Sequence, residues 1–248
     1  MDFRERLRGI IENLQKSLLH LAYPTKCLHC EILLPPSSLV LCPACASLLE
    51  LASLDDRCPG CFNLLEDEDS LQCTHCSQYP SHYIQMAASF DYQGPASSLV
   101  KRLKYSNQPY LAKGMAALLV TQLDRLQWPL PDALVPVPIS FSHWIDRGYN
   151  QSALIAEELG RLLARPVWNV LHRQSGDFSQ AALNLEQRRQ LGGKRFQINS
   201  RFCIENKTLL VIDDVMTSGL TLQRCGEVLQ EKNPEALYAL TFCRTCFD

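Results

Sequence analysis

The sequence has 248 residues, 46% of them hydrophobic and 20% charged, with a formal net charge of −2. That balance excludes a disordered chain, which would be poorer in apolar residues and further from neutrality. The longest unbroken apolar run, the six residues from Met115 to Val120, excludes a membrane-spanning helix, which needs about 20.

The opening stretch, MDFRERLRGIIENLQKSLLH, is too charged for a secretory signal, which requires an unbroken apolar core. Phe3, Leu7, Ile10, Ile11, Leu14, Leu18 and Leu21 recur at helical spacing. Residues 1–26 are therefore expected to form an amphipathic helix that docks on its own chain or on a partner. With no export signal, the protein is expected in the cytoplasm, where thiols stay reduced and disulfides are disfavoured.

Next comes a cysteine repeat. The chain has 12 cysteines, and ten stand in C-x-x-C pairs. Cys27/Cys30 and Cys42/Cys45 form one unit, and Cys58/Cys61 and Cys73/Cys76 repeat it 31 residues later. A C-x-x-C knuckle lets two thiolates converge on one ion, and two knuckles close a tetrahedral four-cysteine site. The spacing predicts two structural Zn2+ sites in a zinc-finger module over residues 27–80. Ligation can be sequential, each unit closing its own site, or cross-braced between alternate pairs. The identical eleven-residue gap within each unit favours the sequential arrangement. His29 and His75 lie inside knuckles, but four thiolates already fill each sphere. Closed sites of this kind supply folding energy to a segment too small for its own core.

Charge divides at the same place. Residues 1–80 hold six Lys/Arg and eleven Asp/Glu, and residues 81–248 hold eighteen and fifteen. Glu66 to Asp69 reads as a solvated acidic loop. The acidic module is not expected to be the main phosphate-gripping surface, and a domain boundary is expected near residue 80.

Beyond it, strand patterns at 83–91, 133–137, 167–170, 208–213 and 236–243 alternate with helix patterns at 95–104, 109–126, 150–163 and 219–231. Alternation of this kind predicts a parallel α/β sheet covered on both faces, filling residues 81–248. Lys101 and Lys104 can point one positive stripe at phosphates, or can simply solvate an amphipathic helix. The most informative stretch runs from Thr208 to Leu222. An apolar strand, Leu209 to Ile212, ends in Asp213 and Asp214, and Thr217-Ser218-Gly219-Leu220-Thr221 leads into a helix. Ligands of open α/β sheets bind at the carboxyl ends of strands. A hydroxyl- and Gly-rich turn at a helix start can wrap a phosphate, and adjacent carboxylates can hold the vicinal hydroxyls of a ribose. Together these describe a ribose-5-phosphate cradle. Cys203 and Cys225 read as packing residues, while Cys243 and Cys246 lack a nearby second knuckle.

The Asp213-to-Thr221 stretch resembles the phosphoribosyl pyrophosphate (PRPP) motif of type I phosphoribosyltransferases. The resemblance implies that Asp213 and Asp214 contact the ribose and that Thr217, Ser218, Gly219, Leu220 and Thr221 hold the 5-phosphate. Ser218 stands where the commoner wording has Thr, which keeps the hydroxyl. Val135-Pro136-Val137-Pro138 followed by Arg147-Gly148-Tyr149-Asn150-Gln151 resembles the ComF family, which pairs a cysteine-rich zinc finger with a type I phosphoribosyltransferase-like domain. The similarity runs from about Cys27 to Cys246. It implies that Arg147, whose planar fork suits phosphate oxygens, faces the pyrophosphate. It aligns Gln180, Arg188 and Phe196 with a mobile loop that closes over the ligand, but Leu191 stands where the family has Asn. Arg188, Arg189, Lys194 and Arg195 make that stretch basic, which also suits an ordinary solvated face.

For function, the resemblance implies a cytoplasmic protein of DNA uptake and natural transformation that binds PRPP with Mg2+. Single-stranded DNA and competence helicase or recombination mediator proteins are its implied partners. The alternative is an active phosphoribosyltransferase displacing pyrophosphate at C1 of PRPP in favour of a nitrogenous base. No residue identifies a base-binding hood, which favours the first reading.

Overall fold

Strands form where the sequence is apolar on both sides of the backbone. The computed structural model describes residues 25–35, 40–65, 71–173 and 196–245. The helix expected over 1–26 (apart from its last two residues), the acid run at 66–69, the stretch from Gln180 to Arg195, and Cys246 lie outside the described residues. In chain order the strands are β1 (Gln85–Asp91), β2 (Ala133–Pro136), β3 (Leu171–Arg173), β4 (Phe196–Ile198), β5 (Thr208–Met216) and β6 (Ala236–Arg244). Four of them form one sheet in the order β1-β6-β5-β2, with every neighbouring pair parallel. Leu209 to Ile212 in β5 and Ala133 to Val135 in β2 are at most 2% exposed. A strand covered on both faces has no polar side to show, so its sequence reads as a continuous apolar run.

The helices are α1 (Pro43–Ala46), α2 (Thr74–Gln78), α3 (Gly94–Tyr105), α4 (Leu111–Leu126), α5 (Phe141–Arg147), α6 (Gln151–Leu163) and α7 (Leu220–Gln230). Helix α6 starts where Asn150 accepts the Ser152 N–H at 3.0 Å and donates its amide to the Val137 carbonyl at 2.9 Å. This cap ties the helix to the chain leaving β2. Ile155, Ala156 and Leu159 then bury the inner face of α6. Helix α7 starts at Gly219, whose φ of +74° lies in the left-handed region that favours glycine.

Two features differ from the sequence expectation. The strand expected over 167–170 is a single parallel bridge between Leu134 and Val167. Beyond it the Val170 carbonyl accepts from Asn199 N–H at 2.7 Å, which draws the chain off the sheet into the antiparallel β3–β4 pair. Phe196 opens β4. In addition, the segment before Gly148 is helical. Ser140 caps α5 by accepting the His143 N–H at 3.3 Å, and Gly148 closes it at φ +77°.

The cysteine region lies against the sheet and α3. On the outer edge of β1, the Met86 N–H donates to the Pro59 carbonyl and the Ser89 carbonyl accepts from Ala52 N–H, both at 2.8 Å. Gln122 of α4 donates to the Ala88 carbonyl at 2.9 Å. The Arg57 guanidinium, 7% exposed, contacts both carboxylate oxygens of Asp91 at 3.0 Å. Nearer the N-terminus, His29 Nδ1 is 2.9 Å from Ser98 Oγ, and Arg102 donates to the Leu28 carbonyl at 3.3 Å.

Candidate functional site

The eight paired cysteines fall into two groups, Cys27, Cys30, Cys42 and Cys45, and Cys58, Cys61, Cys73 and Cys76. Within each group the sulfurs lie within 4.8 Å of one another, so the grouping is sequential rather than cross-braced. The repeat extends to the backbone. Cys27 N–H donates to the Ile32 carbonyl and Cys58 N–H to the Asn63 carbonyl, each at 2.8 Å. Glu31 and Phe62, 31 residues apart, both adopt left-handed φ, 62° and 59°.

The sulfurs are arranged for a cation. Cys30 and Cys42 are 3.7 Å apart and Cys61 and Cys73 3.6 Å, far beyond the ~2.05 Å of a disulfide. Burial would raise Cys27, but N–H groups of Cys42, Cys30 and His29 outweigh it and lower it to about 6. A hydrogen bond from the Cys61 thiol lowers Cys58 to about 4. Burial first, and then neighbouring thiolates, push Cys45 and Cys76 up to about 12. A dication at the centre of each cluster would relieve the repulsion that raises Cys45 and Cys76. Two four-cysteine clusters that can hold metal ions are therefore built into the chain.

The second site lies at the carboxyl ends of the strands. Asp213 and Asp214 follow the buried apolar run of β5, Leu209 to Ile212. Consecutive strand residues point to opposite sides, and the two acids take different partners. Asp213 accepts from Ser152 Oγ at 2.7 Å and from the Asp214 N–H at 2.9 Å. Asp214, 6% exposed, pairs with Lys104 Nζ at 2.8 Å. Burial, then the neighbouring Asp214 charge, raises Asp213 to about 7, against the opposing pull of Ser152 and Lys104. For Lys104, burial disfavours the charge, but Asp214 outweighs it and the net shift is upward. One carboxylate is thus neutralised by a lysine, and the other is poised to gain or lose a proton near neutrality.

A cleft of about 350 Å³ opens over this pair. Among the sequence-predicted residues, Asp213, Asp214, Thr217, Thr221 and Arg147 line it together. Gly219 is buried behind it as the α7 cap, while Ser218 and Leu220 are exposed on the same turn. Arg147 is the last residue of α5, where its guanidinium lies over the Tyr105 ring at 5.2 Å and donates to Gln151 Oε1 at 3.0 Å. Of the two lysines expected to share a stripe, Lys104 reaches the acids, while Lys101 lies over the Tyr92 ring at 6.0 Å. Sequence reasoning missed Ser152, Arg173 and Thr245, which also line the cleft. The helix-start cap Asn150, bonded to both the Val137 carbonyl and the Ser152 N–H, was the nearest available signal for Ser152. A hollow of about 570 Å³ adjoins the cleft and shares Lys104, His143 and Arg147 with it. Phe141 and Trp144 of α5 are both more than half exposed, with rings stacked 6.3 Å apart.

Residues 163–245 match the family model described as the phosphoribosyl transferase domain. Over nearly its whole length the chain is similar to the DNA utilization protein YhgH of Salmonella typhi, 29% identical over 233 residues that cover 91% of this chain and 99% of that protein. It is also similar to competence protein F of Haemophilus influenzae, 29% identical over 219 residues that cover 86% and 93%. Competence protein ComFC of Streptococcus pneumoniae is 26% identical over 207 residues, covering 82% and 87%. Among solved structures it is similar to glutamine PRPP amidotransferase from B. subtilis, at 15% identity and a TM-score of 0.42, covering 57% of this chain and 30% of that one. The parallel sheet with its family-model match has the type I phosphoribosyltransferase-like fold, preceded by a small module of paired cysteine clusters.

Proposed function

We propose that the chain, similar over most of its length to competence and DNA utilization proteins, is a member of the ComF family that acts in DNA uptake and natural transformation through a PRPP-binding domain. In this reading residues 1–26 are a docking helix, 27–80 a module holding two structural Zn2+ ions, and 81–248 the PRPP-binding domain. Asp213 and Asp214 hold the ribose hydroxyls. Thr217, Ser218, Gly219, Leu220 and Thr221 receive the 5-phosphate, and Arg147 faces the pyrophosphate, which carries Mg2+ with it. The observation that carries the reading is the carboxylate pair at the end of β5, with one member neutralised by Lys104, opening directly onto a hydroxyl-rich turn at a helix start. The proposed compartment is the cytoplasm, where cysteine thiolates stay available to metal. Among the described residues no helix is long and apolar enough to cross a membrane.

Single-stranded DNA is the proposed macromolecular ligand, handed on to a competence helicase or recombination mediator. Exposed, stacked Phe141 and Trp144 beside Arg147 and Tyr105 support it, because bases stack on aromatic rings while cations track the backbone. Titration with PRPP and Mg2+, alone and with a panel of bases, tests the small-molecule arm. Saturable binding without pyrophosphate release is expected. Turnover with any base makes the protein a transferase, and no binding at all removes the PRPP reading. Affinity for a single-stranded oligonucleotide is expected to fall steeply with salt, and a flat dependence would count against direct DNA binding.

A further inference from the structure

Cys243 belongs to neither cluster, but the residue after it has a distinctive position. Arg244 ends β6, in register with Asp91 of β1 on one side and Met216 of β5 on the other. It is only 3% exposed. One guanidinium nitrogen, Nη1, donates to the Thr217 carbonyl at 2.9 Å, and Nη2 donates to Asn63 Oδ1 at 3.1 Å. Thr217 opens the turn that leads into α7, and Asn63 lies two residues beyond Cys61, at the first knuckle of the second cluster.

Asn63 is held from two directions. Its carbonyl accepts the Cys58 N–H at 2.8 Å, and its side-chain oxygen accepts from Arg244. The knuckle therefore sets where Oδ1 sits, and the rigid guanidinium fork relays that position to Thr217. Because a peptide group is planar, holding the Thr217 carbonyl also fixes the direction of the Ser218 N–H in the turn. The first repeat provides an internal comparison. Ile32 stands 31 residues before Asn63 and accepts from Cys27 N–H at the same 2.8 Å, yet its side chain is apolar and the residue is 58% exposed. Knuckle geometry does not require an amide at this position, so the Asn63 side chain is available for the contact with Arg244.

We propose that the Cys58–Cys76 cluster governs the Thr217–Thr221 turn through Asn63 and Arg244, so that metal loading of this cluster, and not of the first, sets the turn for its ligand. Asn63 and Arg244 are positioning residues, and the ligand part rests on the reading of the turn as the phosphate site.

The test uses the full, zinc-loaded chain and three readouts: zinc content, hydrogen exchange of a peptide spanning Thr217–Thr221, and PRPP–Mg2+ affinity by calorimetry. Asn63→Ala is expected to keep both metals, speed exchange in the turn about tenfold and weaken PRPP about tenfold, as loss of a hydrogen bond to a charged partner does. Arg244→Lys, whose ammonium cannot span both acceptors, is expected to do the same, and the double variant no worse than either single one. Ile32→Ala is expected to change none of the three. Unchanged exchange in a zinc-retaining Asn63→Ala protein overturns the coupling, as does equal loosening by Ile32→Ala. Should Asn63→Ala lose metal, Arg244→Lys decides, since it leaves the knuckle's own bonds intact. A wild-type protein that does not bind PRPP defeats the ligand reading, while the exchange result still decides the coupling.

Discussion

Asp213 and Asp214 are neighbours in sequence and opposites in state. Lys104 offsets the charge of Asp214, whereas Asp213 has chiefly a serine hydroxyl and a backbone N–H to set against its burial and its neighbour's charge. Its folded pKa of about 7 lies above the roughly 4 of an unfolded aspartate. Between those values the folded protein keeps a proton that the unfolded chain has released. The contribution of this group to stability is thus fully present at low pH and is lost as pH rises toward and through 7. Asp213→Asn keeps an acceptor for Ser152 and removes the charge. Its melting temperature is expected to match wild type only below about pH 4 and to exceed it increasingly as pH rises to 8, and parallel curves across that range would refute the assignment. The acid pair and its turn were legible in the sequence because they are contiguous. The partners were not: Ser152 is 61 residues from Asp213, and Asn63 is 181 from Arg244, separations that no local pattern encodes.

At the scale of elements, legibility followed burial. Strands β2, β5 and β6 and helices α4, α6 and α7 announce themselves because each buries a face, and burial imposes a period. Helix α5 buries no residue at all, so its apolar residues carry no inward-facing pattern to read. The expected strand at 167–170 failed for a related reason, since its apolar residues pack after the chain has left the sheet. Packing also reverses a rule of helix propensity in α7. Gly226→Ala in a helix ordinarily adds about 1 kcal/mol of stability, but here a Cβ would meet Tyr83 Cε2 at 2.7 Å and His82 Cβ at 2.9 Å. The Tyr83 ring cannot swing aside cheaply, because its hydroxyl donates to the Leu222 carbonyl at 2.8 Å. Gly226→Ala is therefore expected to destabilise the protein by about 1–3 kcal/mol in denaturant titration. A gain in stability would mean that the Tyr83 contact yields.

Across the whole molecule, the cysteine repeat and the sheet depend on each other. The repeat and its knuckles were legible, because C-x-x-C spacing encodes a knuckle directly, but the spacing only favoured the sequential grouping that the fold shows. Its docking was not legible, since it runs through backbone groups such as those of Pro59 and Ala52 and through the buried Arg57–Asp91 pair. In a sheet ordered β1-β6-β5-β2, β1 lies at an end, and the second cysteine unit and the chain before it cover donors and acceptors on its outer side. Bare strand edges recruit other chains. Stripping metal with a chelator is accordingly expected to yield aggregates whose onset depends on protein concentration, and clean, reversible unfolding to a monomer would contradict this. Loaded with metal, the cysteine clusters would then guard against self-association, keeping a sticky lateral edge of the sheet closed while the cleft at the carboxyl ends of the strands stays open.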